Sequence, residues 1–122
     1  MYEKHKIGEL GEDIACKYLT QSGYKIIERN FDCKLGEIDI IAKDKEYLVF
    51  IEVKTRTGIK YGEAKDAVNI NKKKHIYRSA EYYTYKYKLE NKPIRIDVIE
   101  IYKRKEKYFL HHIKQAITEK QK

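Results

Sequence analysis

The residues in this chain best suited to chemistry are acids that interrupt apolar runs. In Glu37-Ile38-Asp39-Ile40-Ile41-Ala42-Lys43 two carboxylates alternate with isoleucines. In Tyr47-Leu48-Val49-Phe50-Ile51-Glu52-Val53-Lys54 an acid and a lysine follow at the same spacing. Both runs read as strands, and side chains two apart on a strand share a face. Glu37 and Asp39 therefore point one way, as do Glu52 and Lys54. The polar stretch Asp44-Lys45-Glu46 predicts a tight hairpin between the runs. A turn that pairs Asp44 with Tyr47 sets Asp39 opposite Glu52, and Glu37 opposite Lys54. Such cross-strand partners hold their Cβ atoms about 5 Å apart. Two carboxylates that close repel unless something positive lies between them. Hard Mg²⁺, which prefers carboxylate oxygens and keeps several waters, is one solution. Two others stay open: acids on a solvent-facing sheet, or a structural ion-pair cluster neutralised by Lys54. A register slip of one residue would part the two acids.

The surrounding sequence supplies the elements that must position these groups. Residues 4–21 carry Ile7, Leu10, Ile14, Ala15, Tyr18 and Leu19 at helical spacing, with Gly8 and Gly11 on one face where the helix can approach a neighbour closely. Gly23 is the expected left-handed cap. Strands are expected over 24–31, 37–43 and 47–54, with a turn at 32–36. Residues 55–66 read as a loop marked by Gly58 and Gly62. A second helix is expected over 67–88, with Ile70, Ile76, Tyr77, Ala80, Tyr83 and Tyr87 on one stripe, broken by Asn91-Lys92-Pro93. Strands follow at 94–102 and 108–113. The order α-β-β-β-α-β-β predicts an α/β domain over 1–113, a mixed central sheet flanked by helices, and a basic tail over 114–122.

Composition narrows the function class. Lys and Arg number 27 against 19 Asp and Glu, a net charge of +8. That balance suits a polyanion, either nucleic acid or an acidic membrane surface, or only keeps a Lys-rich surface soluble. Cys16 and Cys33 lack metal-ligand spacing, which points to a reducing compartment. No apolar stretch approaches the ~20 residues of a membrane span, and the N-terminus lacks a signal core. The expectation is a cytoplasmic protein with no membrane partner.

Other polar residues divide between site and scaffold. Glu12 falls at the edge of the first helix's apolar stripe, within reach of a site beside the sheet, whereas Glu9 faces water. Asp97 interrupts an apolar strand and is expected to be a hydrogen-bonded structural acid. His5, His75, His111 and His112 show no metal spacing and read as surface or packing residues. The tyrosines from Tyr77 to Tyr87 follow the helix period, so core packing outweighs a base-stacking platform.

Taken together, Asp39, Glu52-Val53-Lys54 and the element order resemble the PD-(D/E)-x-K nuclease superfamily. More narrowly, G-E-D-I-A, G-Y-K-I-I-E-R-N-F, G-E-I-D-I-I-A, F-I-E-V-K-T-R and I-R-I-D-V-I, spread over residues 8–100, resemble the YraN-like family of small bacterial proteins. Ile38 stands where the superfamily motif has proline. The resemblance implies a restriction-endonuclease-like fold related to archaeal Holliday-junction resolvases, and a site made of Glu12, Asp39, Glu52 and Lys54. On that reading Asp39 and Glu52, with the backbone carbonyl of Val53, hold Mg²⁺ or its substitute Mn²⁺. Lys54 contacts the attacking water or the developing phosphorane charge, Glu12 joins through a metal-bound water, and Glu37 tunes Lys54. Arg56, Lys72 and Lys73 are placed to hold nucleic acid, while Lys74 reads as solvated. The implied activity is metal-dependent hydrolysis of DNA phosphodiesters, in branched or flapped structures among others. The alternatives are a non-catalytic nucleic-acid-binding domain and a basic domain that docks on an acidic protein. Related resolvases dimerise, which leaves room for a homodimer.

Overall fold

Gly23, with φ of +95°, ends the first helix, and the chain closes there by two hydrogen bonds. Tyr24 N donates to Leu19 O at 2.9 Å and Gly23 N to Thr20 O at 3.1 Å, the paired bonds of a Schellman cap. The second helix ends the same way. Leu89 N donates to Thr84 O at 2.7 Å, with Lys88 in the left-handed region at φ 57°.

The computed structural model describes residues 2–57 and 70–117. The elements are α1 (Tyr2–Gln21), β1 (Lys25–Cys33), β2 (Gly36–Asp44), β3 (Tyr47–Thr57), α2 (Ile70–Lys86), β4 (Ile94–Arg104) and β5 (Lys107–Ile117). Their order is the α-β-β-β-α-β-β expected. Positions 67–69 of the expected second helix, and the expected loop over 58–66, lie outside the described residues. The five strands lie in the order β1-β2-β3-β4-β5. Neighbours are antiparallel except β3 and β4, which run parallel and are joined through α2.

Each helix covers one face of this mixed sheet. Ala15 and Leu19 of α1 pack with Ile40, Ala42, Val49, Ile51, Ile99 and Ile101. Ile76, Ala80 and Tyr83 of α2 pack with Phe31, Ile41, Leu48, Phe50 and Ile96. Alternation along β3 assigns the two faces: Val49 and Ile51 face α1, while Leu48 and Phe50 face α2. Gly11 brings α1 against β3, where a Cβ would collide with Thr55 Oγ1.

β5 runs further than its sequence pattern suggested. It continues to Ile117, whose side chain is buried beside Ile96, so residues 114–117 of the expected tail are the end of a strand. An ion pair built on the fully buried Asp97 explains this extension. Asp97 accepts from Gln115 N at 2.9 Å, from Arg95 Nε at 2.9 Å and Nη2 at 3.1 Å, and from His112 Nε2 at 2.7 Å. Burial pushes its carboxyl up, but the His112, Arg95 and Gln115 hydrogen bonds win and hold it below the ordinary value. A carboxylate can only accept, so His112 Nε2 donates to it, and Tyr18 Oη is hydrogen-bonded to Nδ1 at 2.8 Å. Arg95 also reaches Asp44 at 3.1 Å and Tyr24 Oη at 2.5 Å. One network thus ties α1, β2, β4 and β5 together. Asp97 has the structural role expected of it.

Candidate active site

The β2–β3 hairpin takes the expected register and then abandons it. Asp44↔Tyr47, Lys43↔Leu48, Ala42↔Val49, Ile41↔Phe50 and Ile40↔Ile51 are all paired, and the ladder ends there. Asp39 and Glu52 would have formed the next pair, and Glu37 and Lys54 a later one. Beyond Ile40 the two strands instead keep their other neighbours. Phe31↔Ile38 and Asp32↔Glu37 continue β2 along β1, while Glu52↔Val98 and Lys54↔Glu100 continue β3 along β4.

Two observations show how the strands part. Ile38 packs in the α2-side core with Phe31, yet Ile40, two residues on, packs in the α1-side core. Regular alternation therefore breaks at Asp39. On β1, Asn30 takes φ of 54° between Arg29 and Phe31, a conformation that asparagine tolerates better than most residues. The second observation is a substituted hydrogen bond. Val53 N donates to Asp39 Oδ2 at 2.7 Å. In a continued ladder Val53 would lie opposite Ile38, so the Asp39 carboxylate occupies the breach that the departing backbone leaves.

A cavity of about 320 Å³ opens at this breach, lined by Gly36, Glu37, Asp39, Glu52, Lys72, His75 and Ile76. Glu52 is only 7 % exposed. Its Oε1 meets Lys72 Nζ at 3.1 Å and Lys54 Nζ at 3.4 Å. Burial, and then the Glu52 charge, push the Asp39 carboxyl up to about 7; the Val53 N–H opposes this, while Glu12 and Glu37 add to it more weakly. Burial, with Lys72 beside it, pushes the Lys54 ammonium down. Asp39 thus lies in a negative field that a proton or a cation would relieve, whereas Glu52 already has two ammonium partners.

Among the described residues no three His, Cys, Asp or Glu side chains form a ready metal cage. Glu37 and His75 are on the lining, and the donors that meet at the breach are the Asp39 and Glu52 carboxylates, with the Val53 backbone at the junction. Such a pair suits Mg²⁺, which keeps several waters and uses one or two carboxylates, and does not suit zinc.

The remaining sequence candidates are placed as follows. Glu12 meets Arg29 Nη2 at 3.4 Å, and the Asn30 amide, turned to donate, lies 3.1 Å from its Oε1. It acts on Asp39 through its charge and does not line the cavity. Glu37 lines the cavity; the described ion pairs of Lys54 and Lys72 go to Glu52 rather than to Glu37. Arg56 lies two residues beyond Lys54 on β3, beside Tyr102 of β4. Lys72 enters the cavity, and Lys73 does not line it.

His75 reads from sequence as a surface or packing residue, yet it faces the cavity one helical turn after Lys72. The signal was its place beside Ile76 on the apolar stripe. Gly36 fits close to it: a Cβ there would lie 3.1 Å from the buried Ser79 Oγ and 3.7 Å from His75 Cβ.

Among the described residues no helix is long and apolar enough to cross a membrane. The family model described as "Uncharacterised protein family UPF0102" matches residues 11–101. A UPF0102 protein of Clostridium botulinum (strain 657 / Type Ba4) is 54% identical over 101 residues, 82% of each chain. One from Clostridium kluyveri is 55% identical over 95 residues, 78% of each chain. One from Caldicellulosiruptor saccharolyticus is 46% identical over 99 residues, 81% of this chain and 84% of the relative. The matched span runs from α1 to β4 and includes Glu12, Asp39, Glu52 and Lys54, and the chain belongs to the UPF0102 family, the YraN family.

Proposed function

We propose that this protein is a divalent-metal-dependent nuclease that hydrolyses phosphodiester bonds in DNA. The observation that carries the reading is the breach between β2 and β3. There Asp39 leaves the ladder, accepts from Val53 N at 2.7 Å, and shares a cavity with Glu52.

Asp39 and Glu52 would hold the ion, Mg²⁺ or Mn²⁺, with the Val53 carbonyl as a further donor. When bound, the ion supplies Lewis acidity toward a phosphate oxygen and a more acidic water. Lys54 is an ammonium with a lowered proton affinity, suited to giving or taking a proton near the reacting phosphate. Lys72 balances charge on Glu52 from the helix side and would be available to a substrate phosphate if Glu52 held the ion. Glu12, held by Arg29 and Asn30, adds negative field at Asp39 and so favours cation uptake. Arg56 continues the cationic face beyond Lys54 for the neighbouring phosphates.

A second reading has one specific support. Lys54 and Lys72 both pair with Glu52, which is what a structural ion cluster in a non-catalytic DNA-binding domain would also show. Incubation with Mg²⁺ or Mn²⁺ and linear, flapped and four-way DNAs separates the two. The nuclease cleaves at least one of these, and Glu52→Gln abolishes cleavage while retaining binding. Binding without cleavage by the wild-type protein would leave only the binding domain.

A further inference from the structure

Strand register carries the candidate site across the sheet, toward β5. Direct neighbours on one face form successive rows: Glu52–Val98–Ile113, then Lys54–Glu100–His111, then Arg56–Tyr102–Phe109. All lie on the face that Leu48 and Phe50 present to α2, but beyond the core that α2 covers. The rows change character in order, from a carboxylate beside aliphatic residues to cations beside aromatic ones.

Two features of these rows bear on what the exposed part of the face can hold. Glu100 is buried, yet its Oε1 holds Nδ1 of His111 at 3.2 Å, and the His111 side chain is 65% exposed. The carboxylate orients the ring and leaves Nε2, on its far side, for a ligand. In the next row Phe109 is 52% exposed, on a sheet edge where a charged residue would protect better against aggregation. Adjacent strands lie about 4.8 Å apart and residues advance about 3.3 Å. Phe109 is therefore on the order of 16 Å from Glu52, a few nucleotides along a strand.

Resting on the nuclease reading above, we propose that Phe109, Tyr102, His111 and Arg56 form a strip that binds unpaired nucleotides flanking the cleavage site, with Phe109 stacked on a base. The substrate is then DNA with a single-stranded segment, as in a flap or an opened junction, rather than intact duplex. A phosphate backbone complements the cations, but an exposed phenyl ring gains nothing from it. Duplex bases are already stacked on each other, whereas an unpaired base offers its face to an aromatic side chain.

The chain contains no tryptophan, so Phe109→Trp introduces a single reporter at the strip. Its fluorescence is titrated with an oligothymidine, a flapped DNA and a blunt duplex, with Ca²⁺ in place of Mg²⁺ so that nothing is cut. The oligothymidine and the flap should quench it, and the duplex should not. Phe109→Ala should weaken flap binding by about tenfold and leave duplex binding unchanged, and Phe109→Tyr should restore it. Unchanged fluorescence at saturation, equal quenching by duplex, or no oligothymidine binding overturns the proposal. Wild-type cleavage is scored separately. Cleavage without quenching sinks only the strip, and quenching without cleavage sinks only the nuclease reading.

Discussion

Asp39→Asn should stabilise the metal-free protein, the reverse of what loss of a buried hydrogen-bonded side chain normally does. Asn keeps the oxygen that accepts from Val53 N and removes the charge that faces Glu52. The Asp39 carboxyl is pushed up to about 7 in the folded chain, against about 3.9 when unfolded. Between those values the folded state holds a proton that the unfolded state releases. Stability therefore falls as pH rises through that window, and the penalty is fully present above about pH 7. A shift of about three units at ~1.4 kcal/mol each gives a ceiling of about 4 kcal/mol. The strain is shared with Glu52 and the cavity admits water, so ~1–3 kcal/mol is the working figure. At about 4 °C per kcal/mol, Asp39→Asn should melt about 4–12 °C above wild type near pH 8 in a chelator, and the gap should close near pH 4. Added Mg²⁺ should raise the wild-type melting temperature and leave the variant unchanged, because only an ion that binds the folded state shifts the equilibrium. Thermal melts at both pH values, with and without metal, supply every comparison. A variant that melts below wild type near pH 8 without metal would show instead that Asp39 is a favourable charge in the folded chain.

Three further outcomes follow from other parts of the structure. Asp97→Ala removes the fully buried acceptor of the Arg95 and His112 network, and urea titration should show a loss of ~3–5 kcal/mol; a loss under about 1 kcal/mol would mean that water replaces the carboxylate. Gly11→Ala drives a Cβ into Thr55 Oγ1 and should cost ~1–3 kcal/mol; combining it with Thr55→Ala should recover most of that, and simple additivity would show that the helix and strand do not meet there. Lys72→Ala should reduce DNA cleavage far more than Lys73→Ala, because only Lys72 enters the cavity; equal effects would assign both to general surface charge.

The carboxylate pair was legible in the sequence because strand alternation and a short turn fix which residues share a face. The same rules misplaced its geometry. They continue a ladder indefinitely, while the ladder stops at Ile40↔Ile51, and nothing in E-I-D-I-I marks the place where β2 follows β1 instead. The one local hint is Asn30, whose positive φ lies on the neighbouring strand. Lys54 was expected opposite Glu37 and instead pairs with Glu52 on its own strand, as does Lys72, because the parted strands leave Glu52 as the nearer acid. β5 outran its pattern because Ile117 and Gln115 are held by contacts distant in sequence, in the core and at Asp97. His75 was hidden for a related reason: a histidine on an apolar stripe reads as packing until the groups opposite it are known. Hydrophobic periodicity and turn residues set the element order correctly, since they read whole runs of sequence rather than any single contact.

The shared cation is tested most directly by titrating Mn²⁺ into the metal-free protein and following its electron paramagnetic resonance signal. A shared cation should appear as one saturable site per chain, competed by Mg²⁺ and weakened at least about tenfold by Asp39→Asn and by Glu52→Gln. Equal Mn²⁺ binding by wild type and both variants, or no saturable binding at all, would contradict it.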